Sequence, residues 1–423
     1  MNEPILIETI CRQARAAAGI LPHLSADQKN AALLKIADQL ALEQPLILEA
    51  NAADLAAAQE IGLSDALLDR LMLNEKRLQS IIADLRHVTE LSDPVGELLE
   101  EKILPNGLTL RKKRVPLGVL AVIYEARPNV TVDVAGLALK SGNCIILRGG
   151  SETIHSNLAL AKAIQNGLKG TAIPANAVQL IADTDRTRVL ELLQMDRYID
   201  MVIPRGGAGL HDFCHQNSRI PVITGGIGIC HLFVDESANL VRSIEVIRNA
   251  KIQRPSVCNA LDTVLVHQAV AGQFLPQLVE SLSGDGVSFR ADEAAIKILG
   301  GRFRDCVQPA GPEDFDTEWL SLVLGVKIIG GISEAVEHIA QHSTAHSDGI
   351  LTENAEHAAL FIEQVDSAAV YVNASTRFTD GGQFGLGAEI AVSTQRLHAR
   401  GPMGLVELTT YKWIVLGNYH VRS

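Results

Sequence analysis

The chain of 423 residues sets 37 Lys and Arg against 49 Asp and Glu, a formal net charge of −12, which excludes the basic surface that nucleic-acid binding requires. Hydrophobic residues make up 47% and charged residues 20%, so it is an ordinary globular chain with length for two or three domains, and no apolar stretch is long enough to span a bilayer. The six cysteines, Cys11, Cys144, Cys214, Cys230, Cys258 and Cys306, are dispersed without a CxxC pair. That sets aside a disulfide framework and a zinc cluster and points to a reducing cytoplasm, as does the lack of a leader pattern in Met1-Asn2-Glu3-Pro4.

Residues 1–90 read as packing helices. Ser25-Ala26-Asp27-Gln28 has the form of a capping box, and Ala31, Leu34, Ile36, Leu40 and Leu42 follow at broadly helical spacing. Leu63-Ser64-Asp65 opens a further helix carrying Leu67, Leu68 and Leu71. The period then changes. Asn106-Gly107 separates two short apolar-rich runs within Lys102–Leu110, a hairpin signal because both turn residues tolerate positive φ. The basic run Arg111-Lys112-Lys113-Arg114 reads as the solvated face of a strand. Another strand-like stretch, Tyr411–Leu416, stands isolated at the other end of the chain. The two orphan strands suggest an oligomerisation sheet; the alternative is a hairpin packed on its own subunit.

Between residues 116 and 235 strands alternate with helices. The strands are Val119–Tyr124, Cys144–Leu147, Ala177–Ile181 and Ile199–Ile203, and the helices Val130–Leu139, His155–Leu168 and Arg186–Met195. Such alternation predicts an α/β fold with a parallel sheet, whose ligands bind at the carboxyl ends of the strands. Two glycine turns fall at such ends, Arg148-Gly149-Gly150-Ser151 and Pro204-Arg205-Gly206-Gly207-Ala208-Gly209. Neither follows GxGxxG, but an arginine in each favours a phosphate-bearing ligand. A second α/β alternation, with Cys230–Val234 and Val241–Arg248, occupies residues 228–390.

Cys258 is the chemically distinctive position. It closes Lys251-Ile252-Gln253-Arg254-Pro255-Ser256-Val257-Cys258, ahead of a strand containing Leu261, Val264, Leu265 and Val266. A thiol on a rigid support near cationic side chains has the makings of a nucleophile, whereas a lone cysteine elsewhere is commonly an inert buried residue.

Taken in order, Val115–Val119, Ile123-Tyr124-Glu125-Ala126-Arg127-Pro128-Asn129-Val130-Thr131, Ile199–Gly209, Gln253–Cys258, His338–Ile350 and Val372–Gly385 resemble the aldehyde dehydrogenase superfamily over essentially the whole chain. The resemblance implies an aldehyde dehydrogenase-like α/β fold in three parts. These are a Rossmann-type cofactor domain (1–100 and 116–227), a catalytic domain (228–390) and oligomerisation strands (101–115 and 405–423). It implies Cys258 as nucleophile and Asn129 as the oxyanion-hole donor, a position that also suits a helix N-cap. It implies Glu318 on the nicotinamide ribose, or else a surface helix-end glutamate, and Arg148 at the adenosine ribose.

Two departures from the aldehyde-oxidising members bear on the reaction. Those enzymes open a Glu-Leu-Gly-Gly motif with a glutamate that activates water. Here the run is Val222-Ile223-Thr224-Gly225-Gly226, and Ile223 cannot be a general base. Acyl reduction is therefore expected over aldehyde oxidation. Where NAD-preferring members place an acid three residues after the ribose-binding lysine, this chain has Ser151, which favours NADPH; Glu152 beside it works the other way.

The resemblance thus implies NADPH-dependent reduction of L-glutamate 5-phosphate to L-glutamate 5-semialdehyde, a proline-biosynthetic step, by a homodimer or homotetramer. A glutamate 5-kinase is a candidate partner, because direct transfer would spare the labile acyl phosphate from hydrolysis, though no interface for it is marked in the sequence. The cofactor site would use Arg148, Ser151, Arg205, Gly206, Gly207 and Glu318. For the leaving phosphate the candidates are Arg254, then Lys251, Lys140 and Arg127. Arg377 and Asp380 are candidates for the substrate's charged α-groups, with loop-internal hydrogen bonding the alternative for Asp380. His342 and His346 have the spacing of two metal ligands, but the chemistry needs no metal and none is expected.

Overall fold

Polar caps delimit the helical first part of the chain. The computed structural model describes residues 6–223, 225 and 227–422, so the Met1–Pro4 segment, and Thr224 and Gly226 of the Ile223 run, lie outside the described residues. α1 (Ile7–Ala18), α2 (Ala26–Leu42), α3 (Gln44–Glu60), α4 (Asp65–Leu71) and α5 (Glu75–Glu90) come first. The capping box at Ser25 forms in full: the Gln28 N–H donates to Ser25 Oγ at 3.2 Å and the Ser25 N–H to Gln28 Oε1 at 2.9 Å, satisfying two otherwise orphaned donors.

Next come β1 (Leu98–Ile103), β2 (Thr109–Pro116), β3 (Val119–Tyr124), α6 (Val130–Lys140), β4 (Cys144–Gly149), α7 (Ile154–Leu168), β5 (Val178–Leu180), α8 (Arg186–Leu193), β6 (Met201–Arg205) and α9 (Ala208–Asn217). β5 is shorter than its apolar run because Ala175–Ala177 winds into a 3-10 turn after Pro174. β6 begins two residues later than expected because the Ile199 N–H still donates to Met195 O at 3.0 Å. The rest comprises β7 (Cys230–Val234), α10 (Leu240–Ile252), β8 (Leu261–His267), α11 (Gln268–Ser283), β9 (Ser288–Ala291), α12 (Glu293–Leu299), β10 (Val307–Pro309), β11 (Val323–Ile329), α13 (Ile332–His342), β12 (Ser347–Leu351), α14 (Ala355–Gln364), β13 (Ala369–Val372), β14 (Ala391–Ser393), β15 (Gly401–Met403) and β16 (Thr409–Leu416).

The chain divides into two compact units, Met1–Thr224 with Gly385–Ala391 and Met403–Ser423, and Gly225–Phe384 with Val392–Pro402. The first holds a parallel sheet of order β5-β4-β3-β6. β3 and β4 are buried along their whole length, which is why both read as unbroken apolar runs. Tyr124 pairs with Gly149 on one side and Arg205 on the other, so the carboxyl ends of three strands bring the Glu125–Asn129 turn and both glycine turns to one edge.

The same unit carries the antiparallel sheet β1-β2-β16. Gly107, at φ +86°, closes the β1–β2 hairpin, and β16 pairs with β2 from Thr409–Pro116 to Leu416–Thr109. The basic run is engaged rather than simply solvated. Arg111 pairs with Glu101 and Arg114 with Glu97, while Lys112 lies 3.8 Å from the ring centre of Tyr411.

The second unit is built on a parallel sheet of order β10-β9-β11-β8-β7-β12-β13. Ile247, Phe274, Leu278 and Phe289 lie in one apolar core, and Phe233, Leu265, Ile329, Ile339 and Phe361 in another; each such side chain contributes about 1.5–3 kcal/mol by leaving water. Cys258 immediately precedes β8 and so lies at the amino edge of this sheet, opposite the edge where open α/β sheets usually bind ligands.

Candidate active site

In the first unit the turn after β3 is held from below by a buried chain of hydrogen bonds. Tyr124 OH meets Thr131 Oγ1 at 2.6 Å, Thr131 Oγ1 donates to Asn157 Oδ1 at 3.0 Å, and Asn157 Nδ2 donates to Thr153 Oγ1 at 2.8 Å. Above it Ala126 takes a left-handed φ of +45°, a conformation that costs a β-carbon about 1 kcal/mol or more. It is held there by its N–H, which donates to Glu152 Oε1 at 2.6 Å.

Asn129 stands at the N-cap position of α6 but does not cap it. Its backbone is already helical, at φ −56° and ψ −32°, so the side chain points along the helix instead of back across its first turn. There Nδ2 donates to Asp133 Oδ2 at 2.8 Å. Burial pushes the Asp133 carboxyl up to about 6, against the stabilising bond from Asn129. An amide has two N–H donors, and the bond to Asp133 fixes the direction of the other.

Arg148 is buried, and its guanidinium donates to Gly149 O at 2.7 Å, Thr184 O at 2.7 Å and Asp185 O at 3.5 Å. It clasps the end of β4 to the loop after β5. Ser151 is exposed beside it, whereas the Glu152 carboxylate, expected to bear on cofactor choice, is committed to the Ala126 amide. After β6, Gly207 N–H donates to Glu125 Oε2 at 3.2 Å, and a Cβ on Gly206 would fall 2.4 Å from that same oxygen. Half-buried Arg205 is close enough to favour the charged form of Asp133 and to disfavour that of His211.

Lys140 is corrected as a substrate candidate. It occupies the last position of α6, at the opposite end from Asn129, and is buried with Nζ donating to Asn30 Oδ1 at 2.6 Å and Thr89 O at 3.0 Å. Its charge serves the helical packing. Lys251 is corrected for the same reason. It is fully buried, with Nζ donating to Leu261 O at 2.8 Å and lying 3.4 Å from Asp262 Oδ1, so it braces the start of β8.

In the second unit Cys258 is half-buried, and none of the six cysteines is in a disulfide among the described residues. Its main chain is gripped from behind. Cys230 Sγ donates to Cys258 O at 3.3 Å, and a Cβ on Gly228 would fall 1.5 Å from that oxygen. Gly228 N–H in turn donates to Glu318 Oε1 at 2.9 Å. Burial, with Asp262 adding repulsion, pushes the Glu318 carboxyl up to about 7.

Arg377 lies close enough to both Arg254 and Cys258 for each to act on its charge. Burial first, then the neighbouring Arg254, disfavours the Arg377 charge, while Cys258 favours it. Arg377 Nε donates to Gln253 Oε1 at 3.0 Å. Asp380 takes the loop-internal alternative: its Oδ1 accepts from Gly382 N at 2.9 Å and Gln383 N at 3.1 Å. His342 meets Asp316 Oδ1 at 2.7 Å, and His346 meets Ser347 Oγ at 2.8 Å, so the two rings belong to different networks. Gly228, Cys230 and Asn259 escaped the sequence reading; each acts through a main-chain contact, which leaves no motif.

The family model for the Aldehyde dehydrogenase family matches residues 4–292. The gamma-glutamyl phosphate reductase of Aeromonas salmonicida (strain A449) is 57% identical over 413 residues, covering 98% of this chain and 99% of its own. That of Vibrio cholerae serotype O1 (strain ATCC 39315 / El Tor Inaba N16961) is 56% identical over 412 residues, covering 97% and 98%. The crystal structure of gamma-glutamyl phosphate reductase from Thermotoga maritima matches with a TM-score of 0.96 at 49% identity, covering 98% of this chain and 99% of that one. The chain belongs to the aldehyde dehydrogenase family and, within it, to the gamma-glutamyl phosphate reductases.

Proposed function

We propose that this chain reduces L-glutamate 5-phosphate to L-glutamate 5-semialdehyde with NADPH, through a thioester on Cys258. The observation that carries the reading is Arg377, whose main chain is tied to the Cys258 loop through Asn259 Nδ2 and whose charge is disfavoured by burial and then by the neighbouring Arg254, while Cys258 and Asp380 favour it. Two neighbouring guanidiniums suit a doubly charged oxyanion.

The residues at the carboxyl edge of β3, β4 and β6 fit a dinucleotide. Ser151 is exposed, Arg148 Nε is buried without a partner, and a Cβ on Gly207 or Gly209 would meet nothing within 4 Å. Both neighbouring carboxylates, Glu125 and Glu152, are held by main-chain amides. Neither is therefore free to turn and accept from a ribose 2′-hydroxyl, which favours NADPH. In this reading Arg148, Ser151, Arg205, Gly206 and Gly207 hold the cofactor, Glu318 accepts its ribose hydroxyls, and NADPH when bound supplies the hydride that reduces the thioester.

The chain's own residues do the rest. Cys258 as thiolate attacks the acyl carbon, the bond to the phosphate oxygen breaks, and the phosphate leaves as a stable anion against Arg254. Asn129 Nδ2 donates to the oxygen on which charge develops. With Ile223 where oxidising relatives carry a base, no side chain there activates water against the thioester. After reduction the carbonyl re-forms, the carbon–sulfur bond breaks, and Cys258 returns to thiolate as the semialdehyde departs.

The reading extends to a homo-oligomer, dimer or tetramer, joined through β1-β2-β16, and to transfer of the labile acyl phosphate from a glutamate 5-kinase; failure of the two enzymes to co-migrate at working concentrations would count against the transfer. The deciding assay is oxidation of glutamate 5-semialdehyde by NADP, with and without phosphate, in wild type and Cys258→Ser. Turnover that requires phosphate and disappears in the variant is expected. Turnover without phosphate would overturn the reading, because water would then be resolving the thioester.

A further inference from the structure

Asn259 follows the nucleophile and is 6% exposed. Its Nδ2 donates to Thr379 O at 2.9 Å and lies 3.4 Å from Arg377 O. Thr376 Oγ1 donates back to Asn259 O at 2.7 Å. The amide orientation is fixed by its partners, since two carbonyl oxygens can be met by the NH2 end and not by the oxygen. Three bonds therefore tie the residue after Cys258 to the turn carrying Arg377.

That turn is itself anchored. Thr379 Oγ1 meets Ser347 Oγ and Tyr371 OH, each at 2.6 Å, and these belong to β12 and β13. Thr376 and Thr379 are buried. The series from Cys258 through Asn259 and Thr379 to the sheet leaves the Arg377 main chain little freedom relative to the thiol. Burial and then Arg254 disfavour the charge that Arg377 carries there, while Cys258 and Asp380 favour it. A like-charged pair keeps its spacing only when the surrounding structure imposes it.

We infer that Asn259 is a positioning residue: it latches Arg377 to the Cys258 loop and so builds the oxyanion receptor for phosphate. The inference deepens the acyl-phosphate reading and rests on it for the identity of the anion.

Two measurements test it. The first is alkylation of Cys258, followed by peptide mass mapping, with anionic iodoacetate and neutral iodoacetamide. In Asn259→Ala the iodoacetate-to-iodoacetamide rate ratio should fall about fivefold, toward that of Arg377→Ala, with the iodoacetamide rate within about twofold of wild type. The second is phosphate-dependent oxidation of the semialdehyde, in which KM for phosphate should rise about tenfold while kcat at saturating phosphate changes by less than about threefold. Thr376→Val breaks the latch from the other side and should move both readouts the same way, and Thr376→Ser, keeping the hydroxyl, should restore them. These two variants decide the matter if Asn259→Ala does not fold.

A wild-type ratio and a wild-type phosphate KM in folded Asn259→Ala or Thr376→Val would overturn the inference. So would a fall in kcat alone, which marks a merely structural role. Phosphate-independent turnover by the wild type would instead overturn the acyl-phosphate reading, and the alkylation ratio would still decide whether Asn259 holds an anion receptor.

Discussion

Gly228 lies so close to Cys258 that a Cβ on it would fall 1.5 Å from the Cys258 carbonyl oxygen and 3.1 Å from its Cα. The position of Cys258 is thus set by the absence of a side chain on another strand's approach. Gly228→Ala should displace the Cys258 main chain, and a displacement of about 1 Å can cost on the order of 10²-fold in rate. Steady-state kcat and the iodoacetamide rate at Cys258 measure it; wild-type values for both would show that the loop yields at no cost.

Glu318 adds a pH dependence. Its carboxyl is raised from 4.5 to about 7, so between those values the folded chain binds a proton that the unfolded chain releases. Its contribution to stability is therefore present at low pH and is lost as pH rises through about 7. Glu318→Gln keeps the acceptor for Gly228 N–H and removes the titration. The urea midpoint of the variant should fall less between pH 5 and pH 8 than that of the wild type, and an unchanged slope would refute the assignment.

Asp133 orients the Asn129 amide. Asp133→Ala should lower kcat roughly tenfold, a fraction of the 10²–10³ expected for losing an oxyanion donor outright, and should leave KM for phosphate alone. Asp133→Asn retains an acceptor oxygen and should recover most of the rate. Equal rates in Asp133→Ala and wild type would show that Asn129 needs no support from it.

Lys140→Met tests the corrected role of that residue. Loss of its bonds to Asn30 and Thr89 should destabilise the fold by about 1–3 kcal/mol, seen as a lower denaturation midpoint, with KM for phosphate unchanged. A raised phosphate KM would return Lys140 to the substrate site.

The sheet β1-β2-β16 presents Ile103 at 75%, Trp413 at 47% and Val415 at 56% exposure. Exposed apolar strands of this kind are covered in stable proteins. Ile103→Glu with Trp413→Glu should lower the solution mass by light scattering to that of a smaller species. A mass unchanged by the pair would overturn the proposal that this sheet joins subunits.

Local chemistry made much of this legible in advance. The capping box at Ser25 and the Asn106-Gly107 hairpin rest on near neighbours and formed as read. Strands buried on both faces, such as Val119–Tyr124, announce themselves as apolar runs, and their alternation with helices gives the α/β class. Where the reading slipped, a neighbour in space had intervened, as when Ile199 stayed bonded to Met195 and delayed β6.

The sequence by itself determined the class of fold and the place of most strands and helices along the chain, and it singled out Cys258 as a candidate, because these depend on residue type and on contacts a few positions away. Only the tertiary structure decided that Lys140 and Lys251 are packing charges and that Glu152 is committed to the Ala126 amide. The same holds for Gly228, which closes on the Cys258 carbonyl, and for Asn259, which bonds the turn that carries Arg377. The physical reason is common to all of them. A charged or amide side chain has no fixed role until its partners are present, and those partners are carbonyls and amides brought from distant parts of the chain, which carry no signature in the order of residues.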